Sequence, residues 1–375
     1  MEQDNIRFLP EDRAALRKFR TAVSLHGHTQ HSWESLRWLA GFRSQWPVLP
    51  FFIALARAQH RRFTGQRLDL SRTYCIPPLE PRQALRLETR QIHELGLPAL
   101  VSLSDHDDAE AGLELERSPS TAVSLEWTVP FGPTFFHLGV HNLPPEGART
   151  IARMLAGYTA RPSERPLTEL LASVTELQQV LVVLNHPLWD EASIGRPAHF
   201  EALEIFRLRC ASWIHALELN GLRSWTENRE TLALARAWQK PVISGGDRHG
   251  QEPNAILNLT NARSFSEFAA EIRRDQLSHV LFLPQYREPL RLRCLQTVVD
   301  VFRTYPPEHG PRRFWTERFF YDDADGNRRP VSELWQGGRS GFLEPLLAFL
   351  RASEWQWLRP ALRLMLADGA QAGAA

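Results

Sequence analysis

The chain has 375 residues, with 44 basic against 43 acidic side chains and 43% hydrophobic content, which is enough apolar matter for a full core and excludes a disordered chain. No apolar run approaches the roughly 18 to 20 residues that span a bilayer, and MEQDNIRFLPEDRAALRKFR at the N-terminus lacks a signal-peptide apolar stretch, so a cytoplasmic protein with no membrane partner is expected. Three scattered cysteines, Cys75, Cys210 and Cys294, form neither a disulfide framework nor a thiolate metal site.

From Thr21 to about Pro284, short apolar runs alternate with longer helical stretches. In chain order the runs are TAVSL, PALVSLS, TAVSLEW, TFFHLGV, VLVVLN, HALELN, PVISGG, AILNLT and HVLFLP. Such alternation predicts repeated strand and helix units around a mostly parallel sheet, hence an α/β fold. Between them, LEPRQALRLETRQIHELGL and SFSEFAAEIRRDQ space apolar residues three and four apart, and the second opens on a serine suited to N-capping. No glycine-rich nucleotide loop is present, so a dinucleotide-binding sheet has no support.

Two regions break the rhythm. Residues 35 to 90 hold ten arginines against Asp69, Glu80 and Glu88, with aromatics at Trp38, Phe42, Trp46, Phe51, Phe52, Phe63 and Tyr74, and read as an insertion after the first strand. Residues from about 287 are rich in Arg, Trp and Pro, turn helical over FLEPLLAFLRASEWQWLRPALRLML, and end in ADGAQAGAA, expected to fray. The division is then a helical lead over 1–20, a catalytic unit over 21–285 with an insertion at about 33–92, and a mostly helical extension over 286–375.

Nearly every apolar run ends in a metal-ligating side chain: His26 and His28, then Asp105 and His106, Glu126, His137, His186, Glu218, and finally Asp247 and His249. Ligands at successive strand ends converge on one mouth, the geometry of an α/β barrel active site. Alternate residues at a strand end point the same way, so His26 and His28 reach one cation. Carboxylates mixed with many imidazoles and no thiolate suit Mn²⁺, Fe²⁺ or Zn²⁺. The set exceeds one ion's needs, which points to two or three divalent ions and to hydrolysis.

The ordered motifs SLHGHT, SLSDHDD, SLEW, FHLG, LNHP, LELNG and GGDRHG resemble the polymerase and histidinol phosphatase (PHP) family of metal-dependent phosphoesterases over about residues 21 to 285. The resemblance implies a distorted (β/α)7 TIM-like barrel and a metal-bridged hydroxide that attacks a phosphate ester. It places His26, His28, Glu126 and Asp247 on a first ion, with Glu126 bridging to a second completed by His137 and His186. A third ion would take His106, His249 and a residue just after the first motif, where HSWES offers Glu34 by spacing or His31. Glu218 would support the site, or be satisfied by a neighbouring arginine. His141 is a reserve ligand, and His60, His93, His199, His215, His279 and His309 sit in bland contexts.

Asp105 is read as an acceptor orienting a ligand imidazole, or else as a proton carrier near the leaving group. Arg248 and Arg223 are the arginines best placed to clamp a phosphate with their planar forks. The basic insertion favours a small anionic phosphorylated substrate, a phosphomonoester or nucleotide, and flat net charge argues against duplex nucleic acid.

Three other functions compete. An amidohydrolase cutting C–N bonds shares the opening His-x-His, but many of its binuclear members bridge their metals with a carboxylated lysine; only Lys18 and Lys240 exist here, neither at a C-terminal strand end. Single-stranded nucleic-acid 3′-end processing would use the aromatic, arginine-rich insertion as a stacking surface. A non-catalytic metal-binding module would keep the ions without turnover. Oligomeric state is not legible in the sequence.

Overall fold

The computed structural model describes residues 5–9, 13–37, 49–116, 118–334 and 343–367. Trp38, Phe42 and Trp46 of the insertion, and all of the ADGAQAGAA tail but its first residue, lie outside them. In order, the chain forms β1 (Ile6–Phe8), β2 (Thr21–Leu25), β3 (Glu34–Ser35), α1 (Leu49–Thr64), β4 (Thr73–Cys75), α2 (Pro81–Glu94), β5 (Ala99–Leu103) and α3 (Glu110–Glu114). There follow β6 (Thr121–Phe131), β7 (Thr134–Leu143), α4 (Pro145–Ala160), α5 (Glu164–Glu176), β8 (Leu181–Leu184), α6 (Arg196–Cys210), β9 (Ala216–Asn220), α7 (Trp225–Trp238) and β10 (Val242–Gly245). The remainder is β11 (Ile256–Thr260), α8 (Phe265–Arg273), β12 (His279–Phe282), α9 (Leu290–Phe302), β13 (Phe319–Asp322), β14 (Arg328–Pro330), α10 (Glu344–Ser353) and α11 (Arg359–Met365). No helix among the described residues is long and apolar enough to cross a membrane.

The fold is mixed α/β, built on a ten-stranded sheet in the order β1-β12-β11-β2-β5-β6-β7-β8-β9-β10. Strands β2, β5, β8, β9 and β11 are buried at every residue, which is why they read as continuous apolar runs rather than alternating ones. The sheet curls. Side chains from β2, β5, β6, β8, β9 and β10, among them Val23, Leu100, Ala122, Val183, Ala216 and Ile243, meet in one buried cluster closed by Phe265, Phe268 and Ile272 of α8. Beyond β10 the backbone reaches the chain beyond β2, with Gly246 N donating to Leu25 O at 2.9 Å and His28 N donating to Arg248 O at 2.8 Å.

Pairing departs from the expected run of parallel units at β7, which is antiparallel to both neighbours. The cause is local: Phe131 pairs with Thr134 across a turn of Gly132 and Pro133, with Gly132 at φ +56°, so no helix separates β6 from β7. Strand β11 is likewise antiparallel to β2 and β12.

The insertion and the C-terminal extension, read as separate pieces in sequence, share a second sheet of order β14-β13-β4-β3. Its β13 pairs Phe319 with Cys75 and Tyr321 with Thr73, and β3 pairs Glu34 with Cys75. This small sheet holds Glu34 in place beside the first strand's histidines.

Candidate metal centre

The strand ends deliver their side chains to one point because the backbone turns there. His26, His186 and Asp247, within two residues of the ends of β2, β8 and β10, all have left-handed φ, at 59°, 25° and 55°. Non-glycine residues rarely hold such angles, and strain of this kind concentrates at functional sites. The Gly245-Gly246 pair before Asp247 has a steric reason: a Cβ on Gly245 would collide with the Glu218 carboxylate, and one on Gly246 with the Asn254 amide.

Glu126 of β6 lies at the centre, 1% exposed. Its Oε2 faces His26 Nε2 at 3.1 Å, His106 Nδ1 at 3.3 Å and His28 Nε2 at 3.5 Å. Its Oε1 faces His186 Nε2 at 3.3 Å and His137 Nδ1 at 3.5 Å. Asp247 Oδ1 stands 3.6 Å from His28 Nε2 and 3.8 Å from His26 Nε2. Glu34 approaches His106 Nε2 at 3.2 Å and His249 Nε2 at 3.3 Å. The potential ligand atoms fall into four overlapping groups: His26, Glu126 and His186; His26, His28 and Asp247; His106, Glu126 and His137; and His28, Glu34, His106 and His249.

These buried groups could hold metal ions, and their polar atoms fit that use. His26 Nε2, His28 Nε2, His106 Nδ1 and Glu126 Oε2 crowd together yet have no hydrogen-bond partner. An orphaned buried polar atom is costly, and four facing one another are accounted for by cations between them.

Electrostatics agree in sign. Burial raises the carboxyls of Glu126, Glu34 and Asp247, but the surrounding imidazoles, joined at Asp247 by Arg223, outweigh it and hold all three well below the ordinary range. Burial, with His249 alongside, pushes His28 down to about 4. For His26 and His106 burial also lowers, but Glu126 with Glu218 or Glu34 reverses the balance and raises both. The pocket thus favours ionised carboxylates, and divalent cations would supply the positive charge that partners them.

Around this set lie residues that orient it. Glu218 of β9 accepts from His26 Nδ1 at 2.5 Å and from His186 N at 2.8 Å, so its partners are the candidate ligands and not an arginine. Asn185 Nδ2 donates to Glu126 Oε1 at 2.8 Å, and Asn220 Nδ2 to Asp247 Oδ2 at 3.2 Å. Such partners fix ring orientation and ligand basicity. The Glu218→Gln variant is therefore expected to weaken metal binding by about 10- to 100-fold, read by competition with a chromogenic chelator; unaltered affinity would remove Glu218 from the support.

Several expected roles come out differently. Asp105 accepts from Thr29 N at 2.5 Å and Thr29 Oγ1 at 2.7 Å, so it fixes the loop after His28 rather than an imidazole. His31 turns to Glu114 at 2.8 Å, leaving the third group to Glu34. His141 bonds Ser102 Oγ at 2.8 Å, deeper in the curl, outside all four groups. Arg248 is no open clamp: 4% exposed, it donates to Glu88 Oε1 at 2.9 Å and to the carbonyls of His28 and Gly250 at 3.0 Å each.

Arg223 does reach the site, with Nη2 3.6 Å from Asp247 Oδ2 and its guanidinium 4.1 Å over the Trp189 ring. Sequence reading missed Glu191, whose Oε2 lies 4.0 Å from His137 Nδ1, and Trp189. Both follow the LNHP motif on a stretch without strand pattern, so no apolar run announced them.

No family model matches the chain, and no curated protein matches it. Among solved structures, PsfC from Pseudomonas syringae is similar at 14% identity and a TM-score of 0.43, covering 75% of this chain and 97% of PsfC. A candidate metal-dependent phosphoesterase from Bifidobacterium adolescentis is similar at 16% identity and a TM-score of 0.29, covering 51% of this chain and 89% of that one. Likeness of this extent leaves the chemistry to be judged on the geometry of the site.

Proposed function

We propose that the chain is a metal-dependent phosphoesterase of the PHP type, hydrolysing a small phosphomonoester or nucleotide-type substrate. The observation that carries the reading is Glu126, whose two carboxylate oxygens face two different sets of imidazoles. That is the arrangement a bridging ligand of a multinuclear centre requires. His26, His28 and Asp247 would hold one ion with Glu126, His137 and His186 a second, and Glu34, His106 and His249 a third. Divalent Mn, Fe or Zn in these positions would acidify water and neutralise phosphate oxygens.

In this reading β2 and β5–β10 form the ring of a seven-stranded barrel, supported by the bonds from Gly246 and His28 across the seam. The chain's own residues then act by position. Asp105 fixes Thr29, and through it the loop that follows His28. Glu218 sets the His26 ring and the backbone at His186. Arg223, braced on Trp189, turned toward Asp247 and with Nε 3.6 Å from Glu227 Oε1, offers guanidinium N–H groups to a phosphate oxygen. Removing this charge-assisted contact in Arg223→Ala should raise KM about 10- to 100-fold with metal content unchanged; an unaltered KM would exclude it as the clamp.

The amidohydrolase reading loses support, because the chain's two lysines, Lys18 and Lys240, lie before β2 and β10 rather than after a strand's C-terminal end. The test is a screen of purified protein loaded in turn with Mn²⁺, Fe²⁺ and Zn²⁺ against phosphomonoesters, phosphodiesters and amides. Turnover of phosphate esters is expected. Hydrolysis of amides alone, or of none, would contradict the proposal.

A further inference from the structure

A cavity lies between α7 and the β1 edge of the ten-stranded sheet. It measures about 340 Å³ and is lined by Ile6 and Phe8 of β1, Trp225 and Leu232 of α7, and Val242 at the start of β10. Strands β1 and β10 are the two edges of the ten-stranded sheet, so the cavity occupies the seam where the curl leaves its lower half unpaired. The candidate ligands follow the C-terminal ends of β2, β8 and β10, whereas Lys240 and Ser278 precede β10 and β12. None of the cavity's lining residues is a candidate metal ligand, so this site is distinct from the proposed metal chemistry. Its volume falls at the small end of the range for small-molecule pockets.

The chemistry of its walls is one-sided. The floor is apolar, and the rim carries Arg229 and Arg236, seven residues apart on one face of α7, together with Lys240. Among the described residues, no acid lines the cavity and none of these three cations has an ion-pair partner. Ser278, 7% exposed and also lining it, has an Oγ without a hydrogen-bond partner. An apolar slot of this size beside three cations without an ion-pair partner among the described residues, and an orphaned buried hydroxyl, is the complement of one kind of molecule.

We propose that this cavity binds a small amphipathic organic anion, its apolar body against Phe8, Trp225 and Val242 and its carboxylate or phosphate head on Arg229, Arg236 and Lys240. The head takes guanidinium N–H donors at the rim, and the body displaces water from the floor.

Calorimetric titration of the full chain with decanoate and with decyl phosphate tests this, with decyltrimethylammonium as the tail-matched cation. One molecule of either anion is expected to bind per chain, and the stronger of the two identifies the head group. Arg229 and Arg236 are exposed, so the R229E/R236E double variant keeps the fold and should bind at least about tenfold more weakly. Val242→Phe, which fills the floor, should abolish binding, and chelating the metals should leave it unchanged. No binding of either anion at millimolar concentration, equal binding of the cation, unaltered affinity in the charge-reversal variant, or loss of binding on chelation would each overturn the proposal. The last result would assign any binding to the metal centre instead.

Discussion

Glutamine in place of Glu126 is expected to lower phosphoester turnover by about a thousandfold or more and to reduce the metal bound per chain. Glu126 faces His26 and His106 through Oε2 and His186 and His137 through Oε1. The amide keeps the shape but loses the charge and one of the two acceptor oxygens. Losing several kcal/mol of charge stabilisation corresponds to about three powers of ten in rate. The fold should survive, since the carboxylate packs against the candidate ligands rather than the core. Stoichiometry by elemental analysis beside turnover of p-nitrophenyl phosphate reads both effects. A Glu126→Gln protein with full metal content and full rate would remove Glu126 from the centre.

The second large effect is on stability. Arg248 and Glu88 form a buried ion pair at 2.9 Å, 3% and 0% exposed. Burial pushes Glu88 up and Arg248 down, and each partner offsets part of that cost for the other. Glu88 also accepts from Ser24 Oγ at 2.9 Å and from Asn254 N, while Arg248 holds the carbonyls of His28 and Gly250. The pair thus ties α2 to β2 and to the loop carrying Asp247 and His249. Removing one partner leaves the other charged and alone, so Glu88→Gln or Arg248→Met should destabilise the fold by about 3 to 5 kcal/mol. The double variant Glu88→Leu with Arg248→Met should recover much of this, because no uncompensated charge remains. Urea unfolding of the three proteins measures it; single variants as stable as the parent would contradict the assignment.

How much of this was legible in the sequence follows from what each feature depends on. Most candidate ligands could be found because they interrupt or follow an apolar run: His26, His28, His186 and Asp247 lie just past β2, β8 and β10, whereas Glu126 and His137 lie within β6 and β7. The two-set arrangement of Glu126 was expected only through the family resemblance, since it depends on which strands are neighbours. The antiparallel β7 was signalled by Gly132-Pro133 but hidden by the strand–helix rhythm on either side. Arg248 was misread because its place between Asp247 and His249 says nothing about which way the side chain turns, and its partner Glu88 sits 160 residues earlier in a helix. The sheet shared by insertion and extension was not legible, because β4 and β13 are short and their pairing joins residues 73–75 to 319–321.

The central claim is that the imidazole and carboxylate cluster is a catalytic metal centre, and one measurement reaches it most directly: metal content and p-nitrophenyl phosphate turnover followed together through chelation and reloading. Two or three divalent ions per chain are predicted, with turnover lost on chelation, restored on reloading, and absent from His26→Ala and Asp247→Ala proteins. A chain that takes up no stoichiometric metal, or that turns over equally well with and without it, would contradict the account.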